Sequence, residues 1–174
     1  MRNILVVDDN SPDDTAATVS KLKEKKYNSN LHLLSRKGKL GLGTAYIEGF
    51  RWGFEQGAEV LVEMDADFSH NPKYLPELLE QMKKYDFVVA SRYVNGGGVK
   101  DWGMIRRFIS KFGSFYARTI LKMPLKDMTG GFNLWKKEVL IEIGLNNIES
   151  NGYAFQVELK YRAYKKGFRF VESP

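Results

Sequence analysis

Cysteine is absent from this sequence of 174 residues, and histidine occurs only twice. A disulfide framework and a cysteine-ligated zinc site are therefore excluded, and carboxylates are the main metal ligands left. No apolar stretch approaches the ~20 residues that a bilayer-spanning helix needs. These absences predict a protein of a reducing, cytoplasmic compartment that is soluble or associated with a membrane surface.

Positive charge is concentrated in the second half of the chain. Residues 1–91 contain 12 Lys and Arg against 14 Asp and Glu, whereas residues 92–174 contain 15 against 7. With 43% hydrophobic residues, the chain has the composition of one globular α/β domain. We expect the basic half to meet an anionic partner such as a phosphate, a lipid headgroup or a nucleic acid.

Short aliphatic runs alternate with segments of helical periodicity along the first 121 residues. This alternation is typical of a Rossmann-like, mostly parallel sheet with helices on both faces. Ligands of such sheets bind beyond the carboxyl ends of the strands, so the loops after each strand are the candidate site. Four strand and helix pairs are predicted: 4–7 with 13–26, 31–34 with 44–56, 60–64 with 74–83, and 87–90 with 105–121.

Asp65 and Asp67 follow the third predicted strand, in the segment EMDADFSHNP. In extended geometry their carboxylates project to the same side and can hold one hard divalent cation, which would neutralise a departing diphosphate. The alternative is a local role, because Asp67 or Ser69 can cap the helix that follows Pro72. An Asp-x-Asp pair alone leaves both interpretations open.

Asp8 and Asp9 end the first predicted strand, in VVDDNSPDDT. Their carboxylates can accept hydrogen bonds from a base or a ribose, whereas Asn10, Ser11 and Pro12 are typical of a turn. The two roles are compatible, since the turn would aim the carboxylates.

Arg92 follows the fourth predicted strand, and Arg106 lies in the helix beyond it. Guanidinium groups bind phosphate at two points, although an arginine at a strand end is more often a solvated surface residue. The helix has an apolar face flanked by cations, which is typical either of a helix on a membrane surface or, more often, of one packed on its own core. The residues of that face are Ile105, Phe108, Ile109, Phe112, Phe115, Tyr116 and Ile120.

Five segments appear in the order and spacing of family 2 glycosyltransferases of the GT-A fold: VVDDNSPDDT, GLGTAY, DADFSHNP, SRYVNGGGVKDWGMIRRFIS and KDMTGGFNLW. Within that family the sequence resembles most closely the dolichyl-phosphate (polyprenyl-phosphate) mannosyltransferases. The segment from Trp102 to Ser110, together with the preceding Ser-Arg-Tyr, is the most particular to this lipid-phosphate branch.

The resemblance implies an inverting, metal-dependent transferase that moves mannose from GDP-mannose to a polyprenyl monophosphate at the cytoplasmic face of a membrane. By this resemblance Asp65, Asp67 and the poorer ligand Ser69 would hold Mg²⁺ or Mn²⁺. Arg92 and Arg106 would bind the acceptor phosphate, and with Asp67 they are the expected catalytic residues. The nucleotide-binding residues that the resemblance implies are Val7, Asp8, Asp9, Asp65, Ala66 and Asp67.

The resemblance covers nearly the whole chain, so residues 1–174 are expected to form one catalytic domain. Two parts of the family pattern are absent: a first strand ahead of Arg2, and the basic segment that follows the Glu-x-Pro turn at residues 172–174. We therefore expect a domain truncated at both ends. A membrane subunit or a C-terminal membrane segment outside this chain is a further expected partner.

Three other functions compete with this interpretation. A UDP-glucose-dependent polyprenyl-phosphate glucosyltransferase is the alternative within the family. Outside the family, ILVVDDN and the later VLVEMDADFSHNP resemble a phosphoacceptor receiver domain, but the Lys-Pro expected after its fifth strand is absent. A nucleic-acid-binding module has the positive charge but no motif in its favour, so no nucleic acid partner is predicted.

Overall fold

The computed structural model describes residues 3–25, 30–98 and 104–174, with the side chains of Lys25 and of residues 104–108 outside the description. The chain divides into two compact units, residues 1–52 and residues 53–174. Each unit combines strands with helices, so the predicted mixed α/β class is confirmed.

In its described residues the first unit contains β1 (Ile4–Asp8), α1 (Thr15–Lys25), β2 (Leu31–Ser35) and all but the last three residues of α2 (Leu42–Glu55). β1 and β2 are parallel, with Ile4 opposite Leu31. α2 packs on β1 at Gly49, where a Cβ would lie in ordinary contact with Val7, at 3.6 Å. The helix therefore covers the strand that ends at Asp8.

The second unit contains a four-stranded sheet in the order β3, β5, β4, β6. β5 runs antiparallel to both of its neighbours, and β4 is parallel to β6. Short 3-10 helices occur at Pro72–Tyr74 and Leu145–Asn147. The elements are β3 (Val60–Glu63), α3 (Leu75–Gln81), β4 (Phe87–Ala90), α4 (Met104–Ile120), β5 (Asn133–Lys136), α5 (Lys137–Ile143), α6 (Tyr153–Lys165) and β6 (Phe170–Ser173).

The elements predicted within the first 121 residues are all present, with bounds shifted by at most about two residues, the usual uncertainty of helix and strand ends. The strands β5 and β6 were not predicted. Each has four residues and includes polar or charged side chains, so neither shows a period on its own. Both are defined by pairing with β4 in the centre of the sheet.

Asn71 caps the short helix that begins at Pro72. Its side-chain oxygen accepts a hydrogen bond from the Lys73 main-chain N–H at 3.0 Å. The local alternative, in which Asp67 or Ser69 caps this helix, is therefore wrong. Those two residues form a separate turn.

One part of the core of the second unit lies between the sheet and α3. One cluster contains five buried side chains, which come from α3 and its C-terminal turn, from β4, and from β5 and the residue before it. They are Leu78, Met82, Val88, Phe132 and Leu134. Phe87 and Trp135 are fully buried and stack with their ring centroids 4.8 Å apart. This packing fixes β3 and β4, whose carboxyl ends precede the predicted site.

The helix α4 exposes much of its apolar face. Five side chains on it are between 57% and 64% exposed, and we call them the α4 apolar surface: Ile109, Phe112, Phe115, Tyr116 and Ile120. The interpretation that this face packs on the protein's own core is therefore wrong at these positions, whereas the side chains of Ile105 and Phe108 lie outside the described residues. Within the described ranges, no helix combines the length and the apolar character needed to span a bilayer.

Candidate active site

The carboxyl ends of β3 and β4 bring the predicted metal and acceptor residues to one edge of the second unit. β3 ends at Glu63 and is followed by Asp65 and Asp67, while β4 ends at Ala90 and is followed by Arg92. The two strands run in the same direction because each is antiparallel to β5. Their loops therefore leave the sheet at the same edge, where ligands of α/β sheets bind.

A tight turn shapes the segment that carries Asp67. The Asp67 Oδ1 atom accepts hydrogen bonds from the Ser69 main-chain N–H at 3.0 Å and from the Ser69 hydroxyl. Phe68, between them, has a left-handed backbone with φ of 65°, and its side chain is 99% exposed. The hydrogen bonds from Ser69 lower the pKa of Asp67, so this carboxylate is ionised at neutral pH.

His70 holds the main chain at Asp65. Its Nδ1 atom accepts a hydrogen bond from the Asp65 N–H at 2.9 Å, and its Nε2 atom lies 4.0 Å from Asp65 Oδ2. Because Nδ1 accepts, the neutral ring carries its proton on Nε2. Burial lowers the pKa of His70, and the ring stacks on Phe132 at 5.2 Å between centroids.

The predicted metal ligands and the predicted acceptor arginine share one electrostatic neighbourhood. The charges of Asp65, Asp67, Arg92 and Asp127 all act on the His70 imidazole. The site thus combines carboxylates that suit a cation with a guanidinium that suits a phosphate. Sequence reasoning assigned no role to His70, although its place three residues after the Asp-x-Asp pair was the available signal.

Asp65 and Asp67 fit a hard divalent cation such as Mg²⁺ or Mn²⁺. Both present carboxylate oxygens, with Asp67 exposed and the Asp65 side chain 42% exposed, and these cations take further ligands from water and phosphate. The Ser69 hydroxyl is directed to Asp67. Within the part of the chain that the structure describes, no cluster of three His, Asp or Glu is placed to hold a metal.

Arg92 is held by Asp127, which lies 35 residues further along the chain. The Arg92 Nε lies 2.7 Å from Asp127 Oδ2, the Nη2 atom bonds Oδ1, and the Arg92 main-chain N–H reaches Oδ2 at 3.0 Å. Nη2 also donates to the Thr129 hydroxyl at 3.0 Å, and the guanidinium lies 5.4 Å from the Tyr93 ring centroid. With its side chain 18% exposed, Arg92 is an oriented cation and not a solvated surface residue.

Asp127 is a fully buried carboxylate in which both oxygens accept hydrogen bonds. In addition to Arg92, the Gly130 N–H donates to Oδ1 at 2.9 Å. Burial alone would raise the pKa of Asp127, but the hydrogen bonds and charge of Arg92 and the charge of Lys160 lower it. An ionised carboxylate whose oxygens already accept these hydrogen bonds is a poor proton acceptor, and its contacts hold Arg92 and its own loop in place.

Glu172 in β6 connects the two segments that carry this ion pair. Its Oε1 atom accepts hydrogen bonds from the Ser91 hydroxyl at 2.7 Å and the Asp127 N–H at 2.8 Å, and its Oε2 atom accepts from the Lys126 N–H at 2.8 Å. The loop after Ser91 folds back so closely that a Cβ on Gly97 would lie 2.2 Å from the Ser91 carbonyl oxygen. Both segments are therefore fixed to the end of the sheet.

A buried polar network lies next to the ion pair. Glu63 accepts hydrogen bonds from the Asn133 amide, from Trp135 Nε1 at 3.1 Å and from Gln156 Nε2 at 3.2 Å. Lys160 donates to the main-chain carbonyls of residues 127, 128 and 130. Burial raises the pKa of Glu63 to about 7 and lowers the pKa of Lys160 to about 8. The sequence analysis assigned no role to Glu63 or Lys160. The feature that could have identified them is a charged residue at an inward-facing position of an apolar strand or helix.

The predicted nucleoside residues lie in the first unit. Asp8 is buried, and its Oδ2 atom accepts a hydrogen bond from the Ser11 N–H at 3.3 Å, which forms the predicted turn. Asp9 Oδ1 lies 3.0 Å from Nη1 of the buried Arg36, an ion pair without the alignment of a hydrogen bond. Val7 is half-buried at the end of β1. The carboxylates after β1 are thus held by local contacts.

Two further predicted residues lie in the second unit. Ala66 is exposed between Asp65 and Asp67. The main chain at Arg106 belongs to α4, but the Arg106 side chain lies outside the described residues, as does Trp102 of the same motif.

The fold resembles that of GT-A glycosyltransferases. A mannosyltransferase from Pyrobaculum calidifontis in complex with GDP-Man and Mn²⁺ has a TM-score of 0.64 and 18% identity, over 99% of this chain and 45% of that one. The glucosyl-3-phosphoglycerate synthase of Mycobacterium tuberculosis with Mn²⁺, UDP and phosphoglyceric acid has a TM-score of 0.65 and 17% identity, over 98% of this chain and 56% of that one. At these identities the likeness is one of fold.

The chain belongs to glycosyl transferase family 2, which residues 2–144 match. It is 46% identical over 172 residues to the undecaprenyl-phosphate mannosyltransferase of Micrococcus luteus, over 99% of this chain and 70% of that protein. It is 43% identical over 173 residues to the polyprenol monophosphomannose synthase of Mycolicibacterium smegmatis, over 99% of this chain and 65% of that protein. The predicted family is confirmed, and the receiver-domain alternative is left without support.

Proposed function

We propose that this protein transfers mannose from GDP-mannose to the phosphate of a polyprenyl monophosphate, with inversion at the anomeric carbon. The observation that carries the proposal is the oriented guanidinium of Arg92 near the Asp65 and Asp67 carboxylates. The chain that holds this pair of features is 46% and 43% identical to two relatives named for transfer of mannose to a polyprenyl phosphate.

In the proposed reaction an oxygen of the acceptor phosphate forms a bond to the anomeric carbon of mannose. The bond from that carbon to the β-phosphate oxygen of the donor breaks at the same time. The products are therefore polyprenyl phosphate mannose and GDP. Attack opposite to the leaving group inverts the anomeric configuration. Because the two reactants are anions that repel each other, cationic positioning is the main requirement.

The donor diphosphate is proposed to bind at Asp65 and Asp67. A Mg²⁺ or Mn²⁺ ion held there would supply charge neutralisation for the departing GDP. His70 fixes the main chain of Asp65, and the turn at Ser69 keeps Asp67 ionised, so both carboxylates are prepared for a cation. Further nucleoside contacts are proposed for Val7, Asp8, Asp9 and Ala66.

The acceptor phosphate is proposed to need no general base. Its second pKa of ~6 leaves it largely dianionic at neutral pH, so it attacks without losing a proton to the protein. Arg92 and Arg106 are proposed to hold it, because a guanidinium stays charged and binds phosphate in a fixed orientation. Asp127 contributes by orienting Arg92.

The α4 apolar surface is proposed to rest on the membrane that contains the lipid acceptor. Exposed aromatic and aliphatic side chains insert at the bilayer boundary, and the exposed Lys111 and Lys122 suit anionic headgroups. The absence of cysteine fits the cytoplasmic face. A membrane subunit or a C-terminal membrane segment outside this chain is a further proposed partner.

Transfer of label from GDP-mannose into a lipid extract tests the proposal. The purified protein is incubated with radiolabelled GDP-mannose, Mn²⁺ and a polyprenyl phosphate in micelles, with neutral polyprenol and UDP-glucose as parallel acceptor and donor. We expect label to enter the lipid only with the phosphate, and the rate to fall as the phosphate protonates below about pH 6. Equal transfer to neutral polyprenol, or transfer from UDP-glucose alone, would contradict the proposal.

A further inference from the structure

Lys160 is a charged residue in the buried stripe of α6. It is fully buried and shares that stripe with Phe155, Leu159 and Ala163. A lysine in such a position is rare unless its ammonium group is satisfied, because removing an unpaired charge from water is strongly unfavourable. The partners of Lys160 therefore indicate why a cation lies there.

The partners of Lys160 are three main-chain carbonyls of one short segment. Its Nζ atom donates to the carbonyl oxygens of Asp127 at 3.2 Å, Met128 at 3.2 Å and Gly130 at 2.7 Å. An ammonium group has three donors, so this arrangement uses all of them on residues 127–130. Lys160 thus binds that segment as a single unit.

The segment held by Lys160 is the one that presents the Asp127 carboxylate to Arg92. Glu172 holds the N–H groups at the start of the segment, and Lys160 holds its carbonyls. The Asn133 amide shares the Gly130 carbonyl at 3.0 Å and also donates to Glu63. A continuous chain of buried polar contacts therefore runs from the end of β3 to the Asp127 carboxylate.

We propose that Lys160 is a positioning residue for the acceptor site, because it fixes residues 127–130 so that Asp127 holds the Arg92 guanidinium in the orientation that receives the lipid phosphate. This inference rests on the proposed function. It adds a residue that does not touch the substrate and acts through two others. Burial lowers the pKa of Lys160 to about 8, whereas the charges of Asp127 and Glu63 oppose that shift and favour the ammonium form that makes these contacts.

The Lys160→Met variant tests the inference. Methionine fills a similar volume but leaves the carbonyls of residues 127 and 128 without the ammonium donor, so the segment loosens. We expect the KM for polyprenyl phosphate to rise by about tenfold, because small displacements of a positioning group have large kinetic effects. The Kd for GDP-mannose should change by less than about twofold, since the Asp65 segment keeps its own contacts. Lys165→Met, the same change at an exposed position of α6, is the matched control and should leave both values unchanged.

A double-mutant comparison separates positioning from general loss of stability. When Lys160→Met is added to a protein that already has Arg92→Met and Asp127→Asn, the KM for polyprenyl phosphate should rise by less than about a further twofold. The effect is small because Lys160 acts through Asp127 and Arg92, so the effects of these substitutions are not additive. Amide hydrogen exchange supplies a readout that needs no activity. Exchange should accelerate at residues 126–131 in Lys160→Met but not at β4 or β5.

The two proposals fail in different ways. If the wild-type protein does not use a lipid phosphate, the proposed function is wrong, whereas faster exchange confined to residues 126–131 would still show that Lys160 fixes this segment. The positioning role is overturned if exchange accelerates throughout the second unit, if acceptor and donor constants change together, or if the effects of Lys160 and Arg92 are additive. Lys160→Gln, which keeps two donors, replaces Lys160→Met if the latter does not fold; failure of both to fold makes Lys160 a general stability residue and overturns the inference.

Discussion

Arg92 and Asp127 are joined at two points and also through the Arg92 main chain, whose N–H lies 3.0 Å from Asp127 Oδ2. The carboxylate is fully buried, and the guanidinium is 18% exposed. The buried carboxylate thus holds a guanidinium side chain that is only slightly exposed, so the pair connects the buried segment to the edge of the site. Loss of either residue also removes the charged partner of the other. A substitution of Arg92 is therefore expected to change stability as well as use of the acceptor.

Replacing Arg92 alone should destabilise the protein. Arg92→Met leaves the buried Asp127 carboxylate with only its main-chain hydrogen bonds and the charge of Lys160, and loss of one partner from a buried ion pair costs about 3–5 kcal/mol. Adding Asp127→Asn removes that charge but turns the amide NH2 toward a main-chain N–H, so the free energy of unfolding should recover only in part. Use of the lipid phosphate should stay impaired in both variants. Urea denaturation and acceptor kinetics measure the two effects separately.

The single and double variants at Arg92 also decide between its two roles. If the double variant regains normal acceptor kinetics together with its stability, Arg92 is a structural residue only. If kinetics remain impaired in a stable protein with normal donor affinity, Arg92 contacts the acceptor as proposed.

Removing either carboxylate of the Asp-x-Asp pair should weaken binding of the donor only when a divalent cation is present. Asp65→Asn and Asp67→Asn each remove a charged ligand from an ion that bridges the diphosphate. We expect the Kd for GDP-mannose with Mn²⁺ to rise by at least about tenfold, as for loss of a charge-assisted contact. Isothermal titration with and without Mn²⁺ measures this, and Glu80→Gln, an exposed carboxylate elsewhere in the unit, is the control. Unchanged binding of GDP-mannose in both variants would contradict the assignment of Asp65 and Asp67 as metal ligands.

Polar substitution of the α4 apolar surface should weaken membrane binding without affecting the fold. Phe112 and Phe115 are 57% and 60% exposed, so changing both to Ser should alter the free energy of unfolding by less than about 1 kcal/mol. Partition to anionic lipid vesicles should fall by about tenfold or more, because burial of each ring contributes roughly 1.5–3 kcal/mol. Ile141→Ser on α5, 53% exposed, is the control in a vesicle sedimentation assay. Equal sedimentation of all three proteins would contradict the proposed membrane contact.

The parts of the site that were predictable are those that follow a strand directly. Asp65, Asp67 and Arg92 could be found because an apolar run ending in charged residues indicates a strand end, and the structure confirms the strands that precede them. Asp127, which holds Arg92, does not directly follow a strand and showed no such signal. Its pairing with Arg92 needed the fold, since the two lie 35 residues apart.

The parts that could not be predicted depend on contacts between distant segments. Glu63 and Asn133 are 70 residues apart, and Lys160 meets carbonyls about 30 residues earlier in the chain. Local periodicity contains no information about such pairs, so Glu63 and Lys160 stood out only as charges at apolar positions. The orientation of α4 was also undetermined, because an amphipathic stripe has the same period whether it faces a core or a membrane.

Asp86 lies just before β4 and joins three strands at the end of the sheet opposite to the site. Its Oδ1 atom lies 2.9 Å from Lys136 Nζ at the end of β5, and its Oδ2 atom accepts a hydrogen bond from the Arg169 N–H at 2.9 Å, just before β6. Burial alone would raise the pKa of Asp86, but the hydrogen bonds from Lys136 and Arg169 lower it to about 2. Because this folded-state pKa is below the ordinary value of 3.8, the carboxylate stabilises the fold fully above about pH 5 and loses that effect as pH falls toward 2. A shift of this size corresponds to about 2 kcal/mol.

Asp86→Asn should therefore lower the free energy of unfolding by about 2 kcal/mol at pH 7, and the difference from wild type should shrink to roughly half by pH 3. Urea denaturation at pH 7, 5, 4 and 3 measures this without the charge screening that guanidinium would add. Glu80→Gln is the matched control, because its pair with Lys83 is exposed on both sides, at 66% and 70%, and exposed pairs contribute little at any pH. A penalty for Asp86→Asn that stays constant from pH 7 to pH 3 would show that shape and hydrogen bonding, and not the charge of the carboxylate, account for its effect on the sheet.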